Sequence, residues 1–210
     1  MTTVALVLYP KFTALDIVGP FQTLVDVPGL DVFFVAAEAG PVLDHTGRLG
    51  LVATRTFHEV DAVDMVVVPG GFADSDIADD DPVVAFLRKV HPGTTWTTSV
   101  CTGSIFLAKA GVLEGSDATT HWAARSRLQE LGANPVPDRV VRRGKIITAA
   151  GVSSGIDMGL ALVAAVRDEV TARAVQLAIE YDPQPPFDSG SPEKATPEVL
   201  AAVAGLFGSN

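Results

Sequence analysis

A single cysteine, Cys101, in 210 residues leaves no partner for a disulfide within the chain and no thiolate cluster for zinc. The four histidines (His45, His58, His91 and His121) never stand four apart, so the helix-borne pair of a zinc enzyme is missing too, and no metal site is expected. Basic residues are scarce: 15 Lys and Arg face 25 Asp and Glu, a formal charge of −10, and only Arg142, Arg143 and Lys145 lie close together. Such a surface opposes a polyanion, so nucleic acid is not an expected partner. Although 48% of the residues are hydrophobic, no run approaches the roughly 18 apolar residues of a membrane span. The N-terminus, MTTVALVLYPKF, has no basic region before its apolar stretch and no small-residue cleavage site, which predicts a cytoplasmic address. There is no internal repeat, low-complexity tract or long linker. One domain over residues 1–210 is the expectation, with 182–210 an irregular wrap and terminal helix.

What the chain does contain is an alternation of short apolar runs with helical stretches. Thr3–Leu8 reads as a strand buried on both faces, Met65–Val68 as another buried strand, and Leu30–Ala36 and the β-branched Thr94–Val100 as further strands. Gly19-Pro20 offers a helix start, because proline in a first turn wastes no donor, so a helix is predicted over Pro20–Asp26 with Asp16 on the loop before it. Pro41–Phe57 reads as a hairpin apart from the main sheet, and Asp80-Asp81-Pro82 opens a helix towards Val90. Further helices are expected at Gly103–Ala110, Ala123–Leu131, Gly155–Val166, Thr171–Glu180 and Pro197–Phe207, with two short strands within Arg139–Ala149. This order predicts an α/β fold, a three-layer sandwich around a mostly parallel sheet.

In such sheets ligands gather at the carboxyl ends of the strands, and three loops with chemical content follow predicted strand ends. Cys101, in Ser-Val-Cys-Thr-Gly, stands between a strand and a helix, where a sharp elbow would lift the thiol clear and a helix N-terminus would favour thiolate. The plainer reading is a buried cysteine closing a core strand. Asp16 lies in the apolar stretch ALDIV, so its carboxyl must be hydrogen-bonded or protonated, or else it merely caps a turn or helix. Gly70 and Gly71 present N–H groups in the manner of an oxyanion hole, or simply form a Pro-Gly-Gly turn. Thr102 offers a hydroxyl beside the nucleophile, or a helix cap. His121 is placed to pair with the cysteine or to pack. Phe72, Trp122, Ile156 and Phe187 are candidate apolar walls, or core.

With these residues the chain resembles the ThiJ/PfpI family of the class I glutamine amidotransferase-like superfamily. The likeness rests on Thr98–Ser104, Ala110–Gly115, Ala118–Trp122, Leu15–Pro20, Val68–Gly71 and Gly151–Asp157, and it continues through Gln176–Tyr181 and Pro185–Pro192. Many protease-like members carry histidine where this chain has Thr102, and many chaperone and deglycase members carry glutamate where it has Asp16. Both departures point to the branch that hydrates isocyanides to N-substituted formamides. The resemblance implies a flavodoxin-like sheet and a homodimer working without metal or organic cofactor on a small-molecule isocyanide. It also implies Cys101 as nucleophile, Asp16 as general acid/base and Thr102 as auxiliary hydrogen-bonder, with Gly70, Gly71, Phe72, His121, Trp122 and Ile156 about the substrate. Two alternatives resemble other members: a small-molecule sensor like the domain of AraC-type regulators, and a glyoxalase or deglycase acting on aldehydes. The regulators continue into a helix-turn-helix region, whereas this sequence reaches Asn210 without a basic helical pair.

Overall fold

The structure is a computed structural model, and it describes residues 1–72 and 77–207. Its contacts divide the chain into two compact units, Met1–Ile179 and Glu180–Asn210. The first unit begins with strand β1 (Thr2–Val7), helix α1 (Ala14–Leu24) and strand β2 (Leu30–Ala36). Strands β3 (Gly40–Leu43), β4 (Gly50–Ala53) and β5 (Arg55–Thr56) follow, then β6 (Met65–Val68), α2 (Pro82–Val90), β7 (Trp96–Val100) and α3 (Gly103–Lys109). After them come β8 (Asp117–Ala118), α4 (Arg125–Glu130), β9 (Asn134–Pro135), β10 (Val140–Arg143), β11 (Ile146–Ala149), α5 (Ser154–Val166) and α6 (Glu169–Ala178). The second unit holds an irregular stretch, a Lys194–Asp188 ion pair of 2.5 Å, and helix α7 (Pro197–Phe207).

Among the described residues, seven strands form the main sheet in the order β10-β11-β7-β6-β1-β2-β5. All pairs are parallel except β10 with β11. The central strands β6 (MVVV) and β7 (WTTSV) are buried at every position, as a parallel sheet covered on both faces requires. β1 is followed in space by β2 and β5 on one side and by β6, β7 and β11 on the other. The order therefore reverses between β1 and β6, and the crevice at their carboxyl ends is where such folds bind ligands. The predicted hairpin is present as the separate β3–β4 ladder, while β5 joins the sheet edge. The β8–β9 ladder of two residues per strand was not anticipated.

One predicted boundary is wrong in a way that matters. α1 begins at Ala14, so Asp16 lies in its first turn and Pro20 lies inside the helix. Pro20 has no N–H for the Asp16 carbonyl four residues earlier, yet the helix continues because neighbouring packing holds it. Across α1 lies α5, and the two approach closely through glycines. A Cβ on Gly155 would stand 3.1 Å from Pro20 Cδ and 3.3 Å from the Asp16 carbonyl oxygen, and one on Gly19 would stand 3.1 Å from Ile156 Cγ1. Buried tertiary contact has overridden a local start signal.

Candidate active site

Cys101 follows the last residue of β7 directly and holds φ at +57°. For a residue with a Cβ this left-handed conformation costs on the order of 1–2 kcal/mol. Hydrogen bonds fix it from both sides. Its N–H donates to the carbonyls of Ala149 (3.0 Å) and Ala150 (2.8 Å), at the end of β11. Its carbonyl accepts from Ser104 Oγ (3.1 Å) and Thr120 Oγ1 (3.0 Å). The elbow is thus held by elements on three sides.

Gly103 allows the turn to close against β6. A Cβ there would meet the Val68 carbonyl oxygen at less than contact distance, with Pro69 main-chain atoms at 2.9 Å. Because the obstacle is backbone, it cannot give way. Gly103→Ala is expected to lower the melting temperature by on the order of 5–10 °C, through about 2–3 kcal/mol of overpacking. A melting curve within 1–2 °C of wild type, on the scale of a surface change, would show that the elbow relaxes freely.

Asp16 is fully buried. Its Oδ2 accepts the Gly70 N–H at 2.9 Å, while Oδ1 meets no nitrogen or oxygen donor. Burial pushes the carboxyl up to about 7, against the opposing pull of the Gly70 N–H and the Cys101 thiol. The thiol, 6% exposed, is pushed up to about 12 by burial and then by the Asp16 charge; the Val152 and Thr102 N–H groups work in the other direction by favouring the anion. The prediction that the elbow alone would favour thiolate therefore fails for the resting site. α3 has only seven residues, and two N–H groups do not offset desolvation beside a carboxylate.

The other predicted residues take more specific places. Thr102 Oγ1 accepts the Gly71 N–H (3.0 Å) and donates to the Gly71 carbonyl (3.1 Å), clamping the elbow to the Pro-Gly-Gly loop. The Gly70 and Gly71 N–H groups, read from sequence as open donors, are thus turned to Asp16 and Thr102. A Cβ on Gly70 would stand 2.5 Å from the Thr102 nitrogen and 2.8 Å from Asp16 Oδ2, so only glycine lets the loop approach this closely. His121 caps the turn Trp122–Ala124: its Nδ1 accepts the Ala123 N–H at 3.3 Å, which places the neutral ring's proton on Nε2. Burial, then Arg125, lowers its pKa, whereas the charge acting on the thiol is that of Asp16. His121 therefore packs over Gly151, where a Cβ would lie 2.9 Å from its Cδ2: of the two expected roles the structure has the packing one, with no hydrogen bond to Cys101. Trp122 (39% exposed) tilts against His121, Phe72 (42% exposed) stacks on His45, and Ile156 sits in the α1–α5 contact. Phe187 lies in the second unit.

Two contributors were missed in the sequence. The Val152 N–H is a main-chain donor without a side-chain signal. Tyr9, just beyond β1, sends its hydroxyl to the Pro69 carbonyl (2.9 Å) and packs its ring on Phe106 of α3. Its other side lines a groove of about 490 Å³ with Pro10, Glu38, Leu43, Phe57 and Pro82, a space lined by neither Cys101 nor Asp16. Among the described residues, no three His, Cys, Asp or Glu side chains gather as a metal site, and no helix is long and apolar enough to cross a membrane.

The sequence and the fold both have counterparts among known proteins. Residues 2–165 match the model of the DJ-1/PfpI family. An isonitrile hydratase from Pseudomonas putida is 42% identical over 197 residues, covering 94% of this chain and 86% of that protein. A crystal structure of a ThiJ/PfpI family protein from Pseudomonas syringae superposes with a TM-score of 0.92 at 38% identity, over 99% of this chain and 86% of the other. The transcriptional regulator CdhR of Pseudomonas aeruginosa is 31% identical over 71% of this chain, which spans only 43% of that regulator.

Proposed function

The chain belongs to the DJ-1/PfpI family, and on that premise we propose that it is an isonitrile hydratase, adding water to an isocyanide, R–N≡C, to give the formamide R–NH–CHO. The observation that carries the reading is the buried Asp16–Cys101 pair at the switch point of the sheet, in a chain 42% identical to the P. putida hydratase.

The pair suits the substrate. An isocyanide carbon bears a lone pair and becomes strongly electrophilic once protonated. Below about 7 the pair holds two protons; above it, one. The one-proton pair rests with its proton on sulfur and its charge on Asp16; the reactive form is its minor tautomer, with the proton moved to Asp16 and the charge on sulfur, where the Val152 and Thr102 N–H groups stabilise the anion. Since Oδ2 is occupied by the Gly70 N–H, the proton rides on the otherwise unpartnered Oδ1. Asp16 passes it to the isocyanide carbon as sulfur attacks the same atom, forming the C–H and C–S bonds of a thioimidate, R–N=CH–S–Cys101. The Asp16 carboxylate then takes a proton from water as hydroxide adds to carbon, and gives that proton to nitrogen. In the last step it removes the hydroxyl proton as C=O forms and the C–S bond breaks. Formamide leaves, and Asp16 and sulfur return to their starting state. Thr102 acts by clamping Gly71. The working species is a cytoplasmic homodimer that needs neither metal nor organic cofactor.

Formamide production from cyclohexyl isocyanide tests the proposal, followed against pH. kcat/KM is expected to rise as pH increases through about 7, since the two-proton pair cannot present thiolate, and to hold above it. A profile that instead falls through about 7 would replace the thioimidate route by direct water attack on a carbon protonated by Asp16. Folded wild type that turns over methylglyoxal but no isocyanide would move the reaction to aldehydes.

A further inference from the structure

The Pro69 carbonyl and the Gly70 N–H belong to one peptide unit. That unit is trans, so its two polar ends point in opposite directions. The carbonyl end receives the Tyr9 hydroxyl at 2.9 Å, and the N–H end donates to Asp16 Oδ2 at 2.9 Å. Tyr9 and Asp16 thus lie at the two ends of one continuous chain of hydrogen bonds: hydroxyl, peptide, carboxyl. Donation to a carbonyl polarises the peptide and strengthens its N–H as a donor. The hydroxyl also fixes the orientation of the peptide plane, in a loop where Gly70 and Gly71 leave the backbone few side chains to hold it. Tyr9 is itself 7% exposed and held by its ring against Phe106, with centroids 4.8 Å apart, so it is a fixed point.

We propose that Tyr9 is a positioning residue for the acid: through the Pro69–Gly70 peptide it aims the Gly70 N–H at Asp16 and so sets how readily the carboxyl gives up its proton. Tyr9 need not touch the substrate. Burial, then the charges of Asp16, Cys101 and Asp81, raise its own pKa, so the hydroxyl keeps its proton and remains a donor throughout the working range. Of the titratable groups, Cys101 acts on Asp16 from the elbow, and the Asp16 charge in turn acts on Tyr9 at the end of β1. From the helix packed against α1, Gly155 and Ile156 face inward, and the titratable Asp157 of α5 is paired with Arg139 at 2.6 Å.

The inference rests on Asp16 being the proton-handling acid, and its test reads that carboxyl in resting enzyme without substrate. The band of the protonated Asp16 carboxyl, followed by infrared spectroscopy against pH and assigned by its loss in Asp16→Asn, is expected to have its midpoint near 7 in wild type. In Tyr9→Phe the Gly70 N–H holds the carboxylate less well, so the midpoint is expected to move upward by roughly half a unit to one unit. The pH limb of kcat/KM should move with it. Phe106→Leu loosens the same ring but keeps the hydroxyl. It is expected to lower the melting temperature and leave the midpoint in place. A Tyr9→Phe midpoint equal to wild type would overturn the proposal, and so would a Phe106→Leu shift as large as that of Tyr9→Phe. If wild type shows no isocyanide turnover, the hydratase reading fails while the carboxyl titration still judges Tyr9.

Discussion

Cys101→Ala is expected to form no measurable formamide from cyclohexyl isocyanide, a loss on the order of 10⁴-fold or more. The sulfur makes and breaks the bond to carbon in the proposed cycle, and no other thiol exists in the chain to substitute for it. The fold should survive, because the elbow is held through the Cys101 backbone by Ala149, Ala150, Ser104 and Thr120 rather than through the side chain. Circular dichroism and a melting curve beside the assay separate lost chemistry from lost structure. A folded Cys101→Ala enzyme within tenfold of wild type would leave Asp16 and water as the whole catalytic apparatus.

Asp16→Asn should also lose turnover, by a factor on the order of 10²–10⁴, yet its thiol should be more reactive than that of wild type. The Asp16 charge, after burial, is what pushes the thiol up to about 12. An uncharged amide of the same shape removes that repulsion, so the thiol pKa moves down towards its ordinary value and more thiolate is present at a given pH. Alkylation of Cys101 by iodoacetamide, measured between pH 7 and 10, should therefore be faster in Asp16→Asn than in wild type. Slower or unchanged alkylation would mean that the two groups are not electrostatically coupled, and the shared-proton cycle would lose its basis.

The layout of the sheet and the elbow was legible because β-branched runs such as the apolar Met65–Val68 and the threonine-rich Thr94–Val100 carry the signature of strands. Asp16 was legible as a buried acid from the ALDIV stretch but was put on a loop, because Gly19-Pro20 imitates a helix start. What cancels that signal is α5, more than a hundred residues later, packed on α1 through glycines. The Gly70 and Gly71 N–H groups were read as open donors or a plain turn, while their actual acceptors, Asp16 and Thr102, could not be read. Which acceptor an N–H meets depends on the distance between loops that the sequence does not order. Tyr9 carried no signal for the same reason: its consequence lies in a peptide sixty residues away. His121 was read, from proximity along the chain, as a partner for Cys101 or as a packing residue, and its ring nitrogen is used locally to cap the next turn.

The two hydrogen bonds from the Cys101 N–H to Ala149 and Ala150 also bear on the order in which the molecule is made. Those carbonyls lie almost fifty residues beyond the cysteine, at the end of the last strand to join the sheet. As synthesis proceeds from the N-terminus, domains form when their later segments emerge. A nascent chain that has just exposed Cys101 lacks what pins the left-handed turn, along with Val152 beside the sulfur and the α5 glycines that admit Asp16. On the proposed reading, thiol and acid can therefore act as a pair only once β11 and the start of α5 have been added. Until then the growing polypeptide carries an ordinary cysteine and an ordinary aspartate, and the proposed chemistry waits for the closing strand.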